Sequence, residues 1–128
     1  MAGREAPAPV LDAGVLAELV ASVGGDRGFV RDLIEAYLAD GEAQVQAIDA
    51  ALHANDNAAL VRPAHTLKSS SATLGAMRIA DAARELESNG RSGRPGRDTP
   101  EALAARLHGE WAEAVAALRA WVAAGEAQ

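Results

Sequence analysis

The sequence predicts an all-α fold, an antiparallel four-helix bundle preceded by a short extra N-terminal helix. Alanine and leucine dominate the composition, and aromatic residues make up only 3% of the chain. Such a chain is rich in helix-forming residues and poor in the residues that usually fill strands. Apolar residues recur at spacings of three and four along four longer segments, as on buried helix faces. The 128 residues suffice for one domain with a substantial core.

The short helix and the first long helix are each expected to begin at an aspartate. Asp12 can cap the short helix, which Gly24 ends, and Asp26 can cap the long one. Gly41 lies on the apolar face of the long helix, where a neighbouring helix can approach closely. The other residues of that face are Val30, Leu33, Ile34, Tyr37, Val45, Ile48 and Leu52.

The second long helix is predicted from about Asn57 to Leu74, with Asn55 or Asp56 as its cap. Its apolar face comprises Leu60, Ala64, Leu67, Ser71 and Leu74. Pro63 falls inside this helix, where proline removes a backbone donor at a cost of ~3 kcal/mol. Either the helix is kinked at Pro63 or it begins after it. We expect the kink, because Leu60 continues the apolar face upstream.

The third long helix is predicted from about Met77 to Ser88, with Gly75 at the joint before it. Residues 88–99 are rich in Gly, Ser and Arg and are interpreted as a flexible loop. Its arginines are Arg91, Arg94 and Arg97, for which exposure to solvent is favoured over a role in docking.

The last helix starts at Thr99, since proline at the following position is well tolerated in a first turn. Its apolar face comprises Leu103, Leu107, Trp111, Val115, Leu118 and Val122. Residues 11–124 are therefore assigned to the domain, residues 1–10 to a disordered lead and residues 125–128 to a tail.

Charge and composition exclude several functions. The net charge of −6 argues against a nucleic-acid partner, because phosphate binding needs a basic surface. The sequence contains no cysteine, which excludes disulfides and thiolate metal sites. It shows neither a signal peptide nor an apolar run that could span a membrane, so a cytoplasmic protein is expected.

One exposed helix face carries the candidate site. His65 is expected on the solvent side of the second long helix, beside Val61, Lys68, Ser69 and Ala72. Small residues around an exposed imidazole suggest that a broad partner comes close. Lys68 is the single lysine of the chain, one helical turn from His65.

This face is suited to phosphoryl chemistry. A free imidazole has a pKa near 6.5, so a neutral, nucleophilic nitrogen is available at neutral pH. A phosphoryl group placed on it brings a charge of roughly −2, which a neighbouring cation stabilises. Lys68 offers a compact charge on a flexible stem for that purpose.

Residues 64–87, AHTLKSSSATLGAMRIADAARELE, resemble the signature of histidine-containing phosphotransfer (Hpt) domains of two-component phosphorelays. The shared features are Ala64 before His65, an apolar Leu67, Lys68, a run of small residues and Gly75. Similarity to the family extends over about residues 11–122. The sequence also lacks a glycine-rich nucleotide loop or Walker pattern.

The resemblance implies a phosphoryl carrier rather than an enzyme. His65 would accept a phosphoryl group from the aspartyl phosphate of one receiver domain and pass it to another, as between a hybrid histidine kinase and a response regulator. Lys68 and Ser69 would support the phosphate, and Val61, Ala72 and Gly75 would form the docking surface. The carrier would need no cofactor of its own, since the receiver supplies magnesium.

Two positions depart from the family pattern. Ser69 stands where glycine is frequent, and Glu87 stands where the family often has a glutamine facing the histidine. Glu87 is assigned as an orienting residue: a carboxylate bonded to the imidazole would fix its tautomer but would also repel a phosphoryl group.

The alternative function is a helical docking module that binds a receiver or kinase without carrying phosphate. His53 and His108 are interpreted as structural or surface residues, and the three histidines show no metal-ligand spacing, so no metal site is predicted. An exposed site on one face is compatible with a monomer, and the lack of attached kinase or receiver motifs favours a stand-alone carrier.

Overall fold

Five helices make up the fold, as seen in a computed structural model that describes residues 9–94 and 96–126 and all their side chains except that of Glu126. They are α1 (Ala13–Ser22), α2 (Arg27–His53), α3 (Ala58–Thr73), α4 (Met77–Ser92) and α5 (Pro100–Glu126). Helices α2 to α5 run alternately up and down, each packed against two neighbours in a ring, and α1 packs beside α2. The predicted all-α bundle with a short extra helix is confirmed.

The ends of the chain differ from the predicted boundaries. Helix α5 continues through Glu126, so the predicted tail is helical at residues 125 and 126. The predicted lead ends in Val10, which is partly buried against the core. The remainder of the predicted lead and tail, residues 1–8 and 127–128, lies outside the described residues.

A single apolar core fills the centre of the ring. Its fully buried large side chains are Leu16, Val30, Ile34, Ile48, Leu60, Leu67, Ile79, Leu86, Leu103, Leu107 and Leu118. Buried Ser71 is paired with the hydroxyl of Tyr37 at 2.7 Å, which satisfies both polar groups. The predicted apolar faces are confirmed, with one correction. Leu33 is not in the core but exposed on α2.

Gly41 on α2 leaves room for Trp111 of α5. A Cβ at this position would lie 2.8 Å from Cζ3 of Trp111, so only glycine leaves room for the indole ring. Trp111 also stacks at a tilt on Tyr37, with 5.4 Å between ring centroids, and its Nε1 donates to Glu42 at 2.9 Å.

Three of the helices begin at a residue that was predicted to cap them with its side chain. The carboxylates of Asp12 and Asp26 accept from the backbone N–H groups of Gly14 and Phe29, at 2.9 and 3.0 Å. The hydroxyl of Thr99 accepts from Ala102 at 3.1 Å. These bonds satisfy N–H groups that have no partner within a helix.

Helix α3 is continuous through Pro63. It begins at Ala58, so a start after Pro63 is ruled out, and Pro63 lies in its second turn. Of the two candidate caps, Asp56 supplies the bond, accepting from the N–H of Ala59 at 3.1 Å. Buried Leu60 on the first turn explains why the helix extends upstream of the proline.

Helix α4 is longer than predicted, and the predicted loop is wrong over residues 88–92. Asn89 and Gly90 are buried, and the helix ends only at Gly93, which has a φ of 69°. Asn89 donates to the carbonyl of Asp98 and accepts from the N–H of Gly96, at 3.3 and 2.8 Å. Tertiary contacts thus extend a helix that Ser, Asn and Gly would end locally.

None of the helices in the described part of the chain is long and apolar enough to cross a membrane.

Candidate functional site

The site is built on α3 around His65. Ala64 and Leu67 are fully buried, which fixes the rotation of the helix about its axis. His65 therefore projects outward, and 58% of its side chain is exposed. The predicted exposure of this histidine is confirmed.

Glu87 on α4 lies next to the imidazole and is almost fully buried, with only 7% of its side chain exposed. Its Oε2 is 2.9 Å from Nδ1 of His65, and its Oε1 accepts from Nζ of Lys68 at 2.6 Å. The carboxylate thus joins the two residues that sequence analysis singled out on the neighbouring helix.

Arg91 completes the cluster and was not among the site residues predicted from the sequence. Its guanidinium donates to Oε2 of Glu87 from both Nη2 and Nε, at 2.7 and 3.2 Å. The residue was assigned to a loop, whereas it lies on the last turn of α4. The signal that could have found it is its position four residues after Glu87, the spacing of an ion pair along a helix.

Glu87 is ionised at neutral pH. The hydrogen bond from Lys68 contributes most to this, followed by those from Arg91 and His65, and together they outweigh burial and lower the pKa of Glu87 to about 2. An ionised carboxylate only accepts hydrogen bonds. Nδ1 of His65 must therefore carry the proton that it shares with Glu87.

This assignment leaves Nε2 of a neutral His65 with its lone pair. Among the described residues, Nε2 has no hydrogen-bond partner, and the ring is exposed. An imidazole held through Nδ1 and open at Nε2 can act as a nucleophile toward a group that arrives from solvent.

Small residues flank the ring as predicted, with one correction. Ser69 and Ala72 are exposed, and Val61 is half-buried where α4 passes at Gly90. Gly75 is buried under the start of α1, and its carbonyl accepts from the N–H of Asp12 at 2.9 Å. A docking role for Gly75 is therefore wrong, because α1 covers it. Its φ of 81° instead makes the turn from α3 to α4.

A shallow basic depression lies beside the ring. Its lining residues are Lys68, Arg84, Glu87, Ser88, Arg91 and Ser92. Three of them are cations, on a protein whose net charge is −6. The positive charge next to His65 is thus local to the site.

The other two histidines lie apart from this cluster. His53 is exposed at the last residue of α2, and Nε2 of His108 on α5 is 2.9 Å from a carboxylate oxygen of Asp49 on α2. No group of three or more potential metal ligands occurs among the residues that the structure describes.

Comparison with known proteins agrees with the fold. The Hpt domain family model matches residues 32–121, more than half of the chain. No curated protein sequence matches significantly. Among solved structures, the crystal structure of histidine-containing phosphotransfer protein B (HptB) from Pseudomonas aeruginosa PAO1 is similar, with a TM-score of 0.80 and 29% identity over 91% of this chain and 96% of that one. The chain belongs to the Hpt domain family.

Proposed function

We propose that this protein is a phosphoryl carrier of two-component signalling, in which His65 accepts a phosphoryl group from the aspartyl phosphate of a receiver domain and passes it to another receiver. The observation that carries the proposal is the orientation of the imidazole. Its Nδ1–H is bound to a buried, ionised carboxylate, while Nε2 faces solvent. Membership of the Hpt domain family and similarity to HptB support it.

The transfer is a displacement at phosphorus. The lone pair of Nε2 forms the N–P bond, the bond from phosphorus to the aspartyl oxygen breaks, and the electron pair leaves with the receiver's carboxylate. The proton on Nδ1 stays in place, so the ring becomes positively charged as the bond forms. Glu87 stabilises that charge through its 2.9 Å contact with Nδ1. Reversal of the same step delivers the group to the next receiver.

Lys68 and Ser69 are proposed to support the phosphoryl group. Lys68 is held by Glu87 at 2.6 Å, yet a third of its side chain is exposed, one helical turn from His65. A flexible lysine can swing from the carboxylate toward a phosphoryl group of roughly −2 charge. The hydroxyl of Ser69, also exposed, is a further donor on that face. Magnesium for the reaction is proposed to come from the receiver.

The receiver is proposed to dock on the exposed surface of α3 around His65. Ala72 is a small, exposed residue on that surface and Val61 is half-buried beside it. A shallow, largely apolar groove between α2 and α3 includes exposed Leu33, together with Ala36 and Leu74. Because this surface is shallow, a partner with a broad face can contact it.

The test is transfer of labelled phosphate from a phosphorylated receiver domain to the wild type, to His65→Gln and to His108→Gln. We expect label on the wild type and on His108→Gln, none on His65→Gln, and a product that is labile in acid. His108 is the matched control, because it is a second exposed histidine, with 52% of its side chain accessible.

Two outcomes would contradict the proposal. Label that persists in folded His65→Gln would place the acceptor elsewhere. If several receivers left the wild type unlabelled while one bound it equally well with either residue at position 65, the protein would be a docking module instead.

A further inference from the structure

The inference concerns Arg91 and rests on the proposed function. Oε2 of Glu87 accepts hydrogen bonds from two donors, Nδ1 of His65 at 2.9 Å and the guanidinium of Arg91 at 2.7 Å. Arg91 thus contacts the atom that orients the imidazole without contacting the imidazole itself. Among the described residues, both hydrogen bonds of its guanidinium go to Glu87, and 61% of its side chain is exposed.

Charge explains what Arg91 adds. A carboxylate beside a phosphohistidine repels a group of roughly −2 charge. Lys68 alone would only cancel the charge of Glu87, which would leave the site neutral. With Arg91 present, the two cations and one carboxylate leave one net positive charge beside His65. This net positive charge therefore offsets the repulsion between the Glu87 carboxylate and a phosphoryl group on His65.

Packing holds Arg91 in position. The preceding residue, Gly90, is buried against α3, and a Cβ on it would lie 2.8 Å from the carbonyl oxygen of Asn57 and 2.9 Å from Cγ2 of Val61. The last turn of α4 is thereby fixed against the helix that carries His65. A helix that ended before residue 91 would lose the i, i+4 spacing that brings this side chain to Glu87.

We propose that Arg91 is a positioning residue for phosphoryl transfer: it holds the Glu87 carboxylate in the orientation that fixes the Nδ1–H form of His65, and it supplies the charge that lets that carboxylate remain beside the phosphoryl group. Arg91 acts through Glu87 and does not enter the bond changes.

The experiment compares Arg91→Gln, Arg91→Lys and Arg94→Gln with the wild type. Arg94 is the charge-matched control, because it is exposed just beyond the end of α4. Among the described residues, its hydrogen bonds join its backbone to the hydroxyl of Ser92 and leave its guanidinium uninvolved. The readouts are the rate of transfer from a phosphorylated receiver, the lifetime of the phosphohistidine, and the pH dependence of the rate. Circular dichroism checks that each variant is folded.

We expect Arg91→Gln to slow transfer and shorten the lifetime by roughly two- to fivefold, which is the size of effect for a partly exposed charge interaction. Arg91→Lys should restore most of both, and Arg94→Gln should match the wild type. Among the described residues, the charged groups that bind His65 or the carboxylate beside it are Glu87 and Arg91 on α4 and Lys68 on α3. Glu87 stays ionised throughout the neutral range, so the slower transfer of Arg91→Gln should persist at every neutral pH.

The outcomes separate this inference from the proposed function. Wild-type protein that takes no label contradicts the carrier function and the role of Arg91 together. Normal labelling of the wild type, with an unchanged rate, lifetime and pH profile in Arg91→Gln, overturns the role of Arg91 alone. Equal losses in Arg94→Gln, or a folded Arg91→Lys as slow as Arg91→Gln, would overturn it as well.

Discussion

Glu87 is the residue on which the site depends, because a single buried carboxylate joins three basic side chains. It lies on α4 and binds His65 and Lys68 on α3 as well as Arg91 on its own helix. Such a carboxylate is stable only when its charge is compensated, which the three donors provide. The same contacts that stabilise the α3–α4 pair therefore also set the chemistry of the imidazole.

Glu87 should make stability depend on pH in the acid range. Its pKa is about 2 in the folded protein against an ordinary value of 4.5, so its contribution is complete above pH 4.5 and is lost as the pH falls toward 2. Urea unfolding at pH 7 and pH 3 should show that Glu87→Gln loses about 1–2 kcal/mol at pH 7 and less at pH 3. A loss of the same size at both pH values would contradict an ionised Glu87.

Much of the site and most of the elements could be predicted from sequence, because the signals are local. Periodic apolar residues marked the buried faces, Asp12, Asp26 and Thr99 marked helix starts, and the residues around His65 marked the site. The end of α4 could not be found in this way, because Asn89 and Gly90 are helix-breaking residues whose helical state depends on distant partners. Arg91 was missed for the same reason.

At the scale of elements, the contact of α4 with α3 at Gly90 determines the geometry of the site. Two of the nearest atoms to a Cβ there belong to α3 side chains and one is a backbone carbonyl oxygen, which cannot move away by changing a rotamer. The glycine therefore serves packing rather than a turn, since the helix continues past it to Ser92.

Gly90→Ala should destabilise the protein by about 1–3 kcal/mol, because the added methyl group overlaps the start of α3. It should also slow phosphoryl transfer, since α4 must shift and carry Arg91 with it.

Gly109→Ala on α5 is the control. A Cβ there meets no atom within 4 Å, and alanine should stabilise the helix by about 0.5–1 kcal/mol. Thermal unfolding of both variants gives the comparison, and a Gly90→Ala as stable as Gly109→Ala would refute close packing at this point.

At the scale of the whole molecule, the reactive groups and a purely structural contact lie at two different seams, a seam being the interface between two packed helices. His65, Lys68, Glu87 and Arg91 lie along the α3–α4 seam. The α2–α5 seam lies on the other side of the ring of helices and contains the contact of Gly41 with Trp111. A change at the second seam should thus affect stability without affecting the reactive groups, because distant and independent sites contribute additively.

Gly41→Ala tests this separation. The added methyl group would overlap the indole ring of Trp111, so the buried ring or the two helices must shift and the free energy of unfolding should fall by about 1–3 kcal/mol. The transfer rate per folded molecule should stay within twofold of the wild type, because Glu87 and its three partners lie on α3 and α4. Urea unfolding followed by tryptophan fluorescence gives the stability, and labelling from a phosphorylated receiver gives the rate.

Arg91→Gln should show the opposite pattern, a slower transfer with little loss of stability. If Gly41→Ala slowed transfer as much as Arg91→Gln does, the two seams would be coupled through the core, and the site would depend on the whole bundle.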